Sequence, residues 1–408
     1  MKAQIRTVIV VLSALLVMAC AQSPVGIFQS IEREREILDD RNLDNELNVG
    51  AVAFAEGRYF IAAGDLHHRL RDDVDYVANN RQQWSTLTAP GAASDNYTTV
   101  SLVSFDPDGG GTETDQIYAV YRSQDGNASG VYHIDPATPT LDTTPLFGTD
   151  DGVEAVVGVF VATDASGDLL IVPVRTGLSA YSVYYSSNAV DFYPVAGMTT
   201  NQPVIGVASN GADVVLLTST VAYQDGDTIA GGGAPTPIAD VAPDSGVALS
   251  GVYFQASSSV WWVGDGDGHL YSSPNLTDWT TNPTAYEISS DNDNPVPFTV
   301  FVEVYDTTQN QLLVGTDGFG YRILGAAADV SPESPIRDGS NYEASELADA
   351  AILSWYVDPT QLDDYPVPTE PGADPYTTHD GYMLFAGTSK SGLWHALSFD
   401  GPIQWVRE

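Results

Sequence analysis

Residues 271–279 read Y-S-S-P-N-L-T-D-W. The chain says nearly the same thing earlier: residues 185–192 read Y-S-S-N-A-V-D-F. Both carry S-x-N-x-x-D-aromatic, as Ser186, Asn188, Asp191 and Phe192 in one copy and Ser273, Asn275, Asp278 and Trp279 in the other. A shorter relative at 80–84, N-R-Q-Q-W, keeps the Asn-to-aromatic spacing. Asn and Asp side chains bond back to nearby backbone N–H groups, so the pattern reads as a tight turn entering an aromatic-led strand. A turn that recurs at long intervals marks a repeated fold unit.

Working outward from that turn, the chain after Asn48 alternates short β-rich runs with Gly, Asp, Asn and Pro turns. An apolar run is followed by a polar turn such as D-A-S-G-D, then a second run of the type L-L-V-G-T ending in a small residue. A G-x-x-Y-aromatic run comes next, then the Asn/Asp turn and a fourth run opening on Trp or Phe. Units of this kind begin near Val49, Thr99, Val153, Val204, Val247, Phe298 and Ala350. Their length of about 50 residues is that of one propeller blade. The expected fold is all-β: a seven-bladed β-propeller of four-stranded antiparallel blades over 48–408, with six or eight blades as alternatives. The opening stretch is then the third-strand exit, hairpin turn and fourth-strand start of the fifth blade. Helical spacing is confined to 31–47, a short helix or extended arm within 20–47, and to 343–353, a short helix running into a strand.

The repeated turn resembles the Asp-box turn of sialidase-like propellers, S-x-D-x-G-x-x-W, on Ser273, Asn275, Asp278 and Trp279. Asn replaces the Asp, the turn is shorter and the box glycine is missing. S-F-D-G-P-I-Q-W at 398–405 is another relaxed copy, closing the chain as the outer strand of the last blade. The resemblance implies architecture, because Asp boxes are structural turns. A sialidase site would need three arginines on one carboxylate, a Tyr–Glu pair, an acid Asp and an R-I-P-type motif. Arg58, Arg69, Arg71, Arg81, Arg122, Arg175, Arg322, Arg337 and Arg407 do not stand in that motif, and P-I-R-D at 335–338 has its letters in another order. Arginines in so acidic a chain serve first to neutralise carboxylates, and fold alone does not carry activity.

The first 19 residues read as a signal peptide. Lys2 and Arg6 precede an apolar run too short to span a bilayer, and the run ends V-M-A-C at 17–20. This resembles the lipobox of bacterial lipoproteins, which implies cleavage before Cys20 and lipidation of it. Ala21 in second place implies the outer membrane or cell surface. An ordinary secretory signal is the alternative. Cys20 is the sole cysteine, so no internal disulfide, thiolate nucleophile or cysteine metal site is expected.

With 54 acidic and 15 basic residues the net charge is −39. Such a surface repels nucleic acid and anionic lipid, leaving the lipid anchor as the expected membrane contact. The acids are spread along the chain, which reads as adaptation to saline surroundings more readily than as a site for cations or a basic partner. Candidate Ca²⁺ ligands are Asp265 and Asp267 in G-D-G-D-G-H, and Asp106 and Asp108 in D-P-D-G-G-G-T-E-T-D; neither stretch has EF-hand spacing. Adjacent His67 and His68 face opposite ways on a strand. No G-x-S-x-G elbow is present, and G-G-G-A-P at 231–235 lacks the lysine of a phosphate loop. No catalytic residue or required cofactor is assigned. The expected function is a non-enzymatic envelope lipoprotein that recognises a protein or glycan through a propeller face. A glycan-active hydrolase using channel carboxylates is the alternative.

Overall fold

The apolar runs fold as strands buried on both sides. Arg58–Ala63, Val214–Thr218, Val260–Asp265 and Gln311–Thr316 are buried at every position after at most the first. Continuous rather than alternating hydrophobicity is what a strand shows when its sheet is covered on both faces. The computed structural model describes residues 43, 47–71, 84–90, 97–109, 115–126, 128–225, 229–241, 246–281, 297–304, 311–318, 320–324, 347, 350–367, 377–398 and 405–407. The signal peptide, Cys20 and the 20–47 arm up to residue 46 lie outside them, apart from Leu43.

The strands form antiparallel sheets in chain order, numbered 1 to 7 here: 51–87, 97–148, 155–200, 204–237, 249–281, 298–324 and 351–407. Six contain a path of four strands, and sheet 6 shows three among the described residues. In each, the chain runs strand by strand from one edge to the other. The first strands are Ala51–Ala55, Tyr97–Phe105, Phe160–Asp164, Val204–Ser209, Leu249–Gln255, Phe298–Val304 and Ala351–Val367. Each lies against the next, and Ala351–Val367 lies against Ala51–Ala55, so the ring closes. A closed ring of radially arranged antiparallel sheets is a β-propeller. In sheet 3 the inner edge is shared: Ala155–Val156 and Phe160–Asp164 both pair with Gly167–Gly177, so its inner strand starts later than Val153.

Apolar clusters fill successive seams. Phe60, Leu66, Leu102 and Tyr121 join sheets 1 and 2, and Tyr118, Val131, Leu170 and Val172 join sheets 2 and 3. Ile171, Val204 and Leu216 lie between sheets 3 and 4; Leu217, Trp261 and Val263 between 4 and 5; Trp262, Phe298 and Val314 between 5 and 6; Leu313, Ile352, Leu384 and Trp394 between 6 and 7.

The small residue ending the L-L-V-G-T runs has a packing cause. A Cβ on Gly264 would come within 2.9 Å of Phe298 Cβ, and one on Gly315 within 2.8 Å of Ile352 Cβ. On Gly387 it would overlap Ser354 Oγ and the Val49 carbonyl oxygen. At Gly264 and Gly315 the first strand of the next sheet crosses too closely for any side chain; at Gly387 the sheet's own first strand and the Val49 backbone leading into sheet 1 do so.

Of the 343–353 stretch, Leu347 is helical and Ala351 onward is strand; 343–346 and 348–349 lie outside the described residues.

Candidate functional site

Antiparallel order puts the turns joining strands 1–2 and 3–4 of every sheet on one face of the ring, and the 2–3 turns on the other. The repeated Asn turns are 3–4 turns. Ser273 ends the strand Leu270–Ser273, and Thr280–Thr281 follows the turn. Asn275 Oδ1 accepts the N–H groups of Thr277 and Asp278 at 3.1 and 2.9 Å, and Asn275 Nδ2 donates to Asp278 Oδ2 at 2.8 Å. Asn188 does the same with Val190 and Asp191, at 2.9 Å for both N–H groups and 3.0 Å to Asp191 Oδ2. Ser186 and Ser273 are buried and donate to the Asn oxygens at 3.1 and 3.3 Å. The residue after each Asn is left-handed although not glycine: Ala189 at φ 55° and Leu276 at φ 61°. Both side chains are buried, which offsets the backbone cost of order 1 kcal/mol. Phe192 stacks on Phe147 at 4.9 Å, and Trp279 Nε1 donates to the Leu276 carbonyl at 3.0 Å. These residues hold turns.

The copies expected at 80–84 and 398–405 lie outside the described residues apart from Trp84, Ser398 and Trp405, and a further copy escaped the sequence reading. Asn210 Oδ1 accepts from Ala212 and Asp213, and Asn210 Nδ2 donates to Asp213 Oδ2 at 3.2 Å. It joins strands 1 and 2 of sheet 4, so no aromatic follows it; the usable signal was N-x-x-D alone. A second missed repeat sits at the 2–3 turns. Ser123, Thr218, Thr316 and Thr388, all buried, donate their hydroxyls to Ala128, Val221, Gly320 and Gly392 carbonyls at 3.1, 2.9, 2.8 and 2.7 Å.

Asp265 takes that position in sheet 5. Its Oδ1 accepts from the N–H groups of Asp267 and His269, both at 2.9 Å. Its Oδ2 lies 3.2 Å from both His269 Nδ1 and the donating Tyr271 hydroxyl. The carboxylate is 1% exposed and engaged by its own turn. Asp106 Oδ1 accepts the Asp108 N–H at 2.9 Å in an exposed 1–2 turn. The two Ca²⁺ candidate pairs therefore sit on opposite faces of the ring. Among the described residues no three His, Cys, Asp or Glu side chains come together as a metal site would require. His67 Nδ1 pairs with Thr86 Oγ1 at 3.2 Å, while the His68 ring lies 5.9 Å from Phe60. Burial lowers the pKa of both; Asp65 partly opposes this at His67, and Arg58 adds to it at His68.

The most concentrated chemistry lies where sheet 7 meets sheet 1. Asp358 is fully buried beside a bulge in Ala351–Val367. Tyr59 donates to its Oδ2 at 2.6 Å, and Arg71 Nε makes an ion pair with the same oxygen at 3.5 Å. The Thr360 N–H donates to Oδ1 at 2.9 Å. The Tyr59 ring packs 4.7 Å from Phe385 and 5.0 Å from Phe54. Arg69 is sandwiched at 5.3 Å from the Tyr59 ring and 5.2 Å from the Trp84 ring. Burial, and then the Asp358 charge, raise the Tyr59 pKa well above its ordinary value, so the phenol stays a donor. Burial raises Tyr356 beside it as well. Backbone completes the join: Val49 N–H donates to Thr388 at 3.0 Å, Gly392 N–H to Leu47 at 3.2 Å, and Ser354 Oγ to Val49 at 3.1 Å.

Of the other arginines, Arg122 bridges sheets 2 and 3, whereas Arg175 pairs within sheet 3. Arg122 Nη2 donates to the Val156 carbonyl at 3.1 Å, and Arg175 Nε pairs with Glu154 at 3.2 Å. Glu303, 4% exposed, accepts the Ala256 N–H at 3.0 Å and the Ser257 N–H at 3.3 Å across the seam of sheets 5 and 6. Arg81 and Arg337 lie outside the described residues, as do the side chains of Arg322 and Arg407.

No known protein-family profile matches the chain, and no curated protein matches it. Among solved structures it is similar to the Dos1 propeller, at 15% identity over 65% of this chain and 65% of that one, with a TM-score of 0.43. It is also similar to Sqt1 of Saccharomyces cerevisiae, at 10% identity over 88% of this chain and 97% of that one, with a TM-score of 0.48. The chain's own strand order and ring closure make it a β-propeller.

Proposed function

We propose that this protein is a non-enzymatic binding or scaffold lipoprotein of the bacterial envelope, anchored through Cys20 and recognising a protein or glycan through one propeller face. In this reading the ring has seven blades, and sheet 6 is the blade with three of its four strands among the described residues. The observation that carries the binding reading is the use made of the buried polar groups: Asp265, Glu303 and Asp358 spend their carboxylates on turns and seams. That work builds a rigid ring presenting loops on two faces, the arrangement that suits recognition. The V-M-A-C sequence supports the anchor, and the spread of acids supports adaptation to salt.

The deciding experiment is capture by the purified chain from envelope extract and on a glycan array, with and without Ca²⁺. Retention of one protein or glycan without turnover supports the reading. Cleavage of a glycan replaces it with the hydrolase alternative. Cys20→Ser is expected to leave the protein in the soluble fraction; unchanged membrane fractionation would remove the anchor from the proposal.

A further inference from the structure

In this acidic protein one stretch is nearly free of charge. Residues 176–212 contain a single charged side chain, Asp191, where the overall 17% charged composition would place about six in that length. The same stretch holds four of the five exposed large hydrophobic residues among those described: Leu178 at 100% exposure, Val190 at 71%, Tyr193 at 53% and Ile205 at 39%.

The fold places three of these along the outer rim of sheet 3. Leu178 is at the tip of the hairpin between Gly167–Gly177 and Ala180–Ser186, and Val190 is in the Asn188 turn at the other end. Tyr193 opens the outermost strand, Tyr193–Thr200, with its ring 5.8 Å from Tyr185. That strand has 8 residues, whereas among the described residues the outer strands Ser85–Leu87, Thr140–Leu141, Thr236–Pro237, Thr280–Thr281 and Val406–Arg407 have 2 or 3. Tyr193, Pro194, Ala196, Gly197 and Thr199 are exposed on it, and it has no strand on its outward side among the described residues. Asp191 is hydrogen-bonded by Asn188.

We infer that this rim is where a second copy of the chain docks, giving a twofold homodimer through the outer strands of sheet 3. Two bodies of charge −39 repel through any pair of acidic faces, so contact costs least where charge is absent. Covering Leu178, Val190 and Tyr193 then adds apolar burial beside one ion, Asp191, which already accepts from Asn188. A twofold axis runs the two strands antiparallel and sets the Val190 end of one copy against the Leu178 end of the other. Pro194, which has no N–H, and the register shift between Ser182 and Tyr184 interrupt the ladder, so side chains carry much of the contact. A basic partner would select the acidic faces instead.

The test is sedimentation velocity on the full chain carrying Cys20→Ser, from micromolar to submillimolar protein, at about 0.1 and about 2 M NaCl. A monomer–dimer equilibrium that shifts toward dimer with salt is expected. Leu178→Asp and Val190→Asp should each raise the dimer Kd by about tenfold or more, because each change enters the interface twice. Both side chains project into solvent in one copy, so folding is unaffected, and circular dichroism verifies this. Leu70→Asp, an exposed apolar position on sheet 1, should leave the dimer intact. A monomer under all conditions, or a dimer insensitive to both rim variants, overturns the inference. So does a monomer whose rim variants lose a glycan or a different protein, since the occupant is then not a second copy.

Discussion

Between sheets 4 and 5, Leu217, Trp261, Val263 and Tyr271 meet as an apolar layer. Between sheets 7 and 1, Tyr59 and Phe385 meet around Asp358, Arg69 and Arg71. The first seam joins neighbours in the chain. The second joins residues 299 positions apart, as in the Tyr59–Asp358 hydrogen bond. Neighbouring sheets are held close by short connections and need only complementary apolar faces. The ends of the chain must find each other at a loop-closure cost, and a directional hydrogen bond and ion pair select one register among those an apolar face would accept. The absence of a side chain at Gly387 lets the Val49 backbone reach the last sheet.

The largest effect is expected from Trp261→Ala, in the apolar seam. Removing this 1%-exposed side chain should cost about 3–5 kcal/mol. Denaturant melts should show one transition at a lower midpoint with unchanged slope; a loss under about 1 kcal/mol would mean the apolar seam repacks freely.

Asp358→Ala should cost roughly 3 kcal/mol, because it removes the shared acceptor of the partly buried Arg71 and the buried Tyr59 hydroxyl. Asp358→Asn should cost less, since it keeps an acceptor for Tyr59. Hydrogen exchange would sharpen the contrast: in Asp358→Ala, strands Arg58–Ala63 and Thr377–Ser389 should exchange before Val214–Thr218 does. Uniform loss of protection would show that the closing seam is no weaker a point than the others.

Alkaline pH gives a smaller effect. Burial raises the pKa of Tyr59, Tyr121 and Tyr356, and pushes Tyr132 and Tyr321 up to about 12. With folded values above the unfolded 10.0, the tyrosines contribute stability fully present below pH 10 and lost as pH rises toward the folded values. Each titrating tyrosine should add a slope of about 1.4 kcal/mol per pH unit. Tyr59→Phe should lower stability at pH 8 and shrink the alkaline slope; an unchanged slope would mean that Tyr59 ionises freely in the folded protein.

Asn275→Ala should produce the smallest change, about 1 kcal/mol, confined to one 3–4 turn. Exchange at both seams should stay as in the parent. A larger loss would make the turn part of the seam through buried Leu276, which belongs to the same cluster as Trp261.

Much of the ring was legible because its units obey local rules. Doubly covered strands read as continuous apolar runs, and Asn275 with Asp278 specifies a turn from four residues. The glycine of L-L-V-G-T was visible as a repeated small residue, but its cause, the crossing of the next sheet's first strand, was not. The Asn210 turn was missed because no aromatic follows it. Within 343–353, where a short helix running into a strand was expected, the described residues agree: Leu347 is helical and Ala351 opens the strand that pairs with 377–389.

Strands, turns and the succession of sheets are written in short segments, because hydrophobic run length and turn chemistry are set within a few residues. The roles of the isolated polar residues emerge from the folded ring. Tyr59, Arg71 and Asp358 are scattered through the chain and carry no shared pattern. They become one latch because ring closure brings the first sheet against the last, and that proximity is a property of the whole chain.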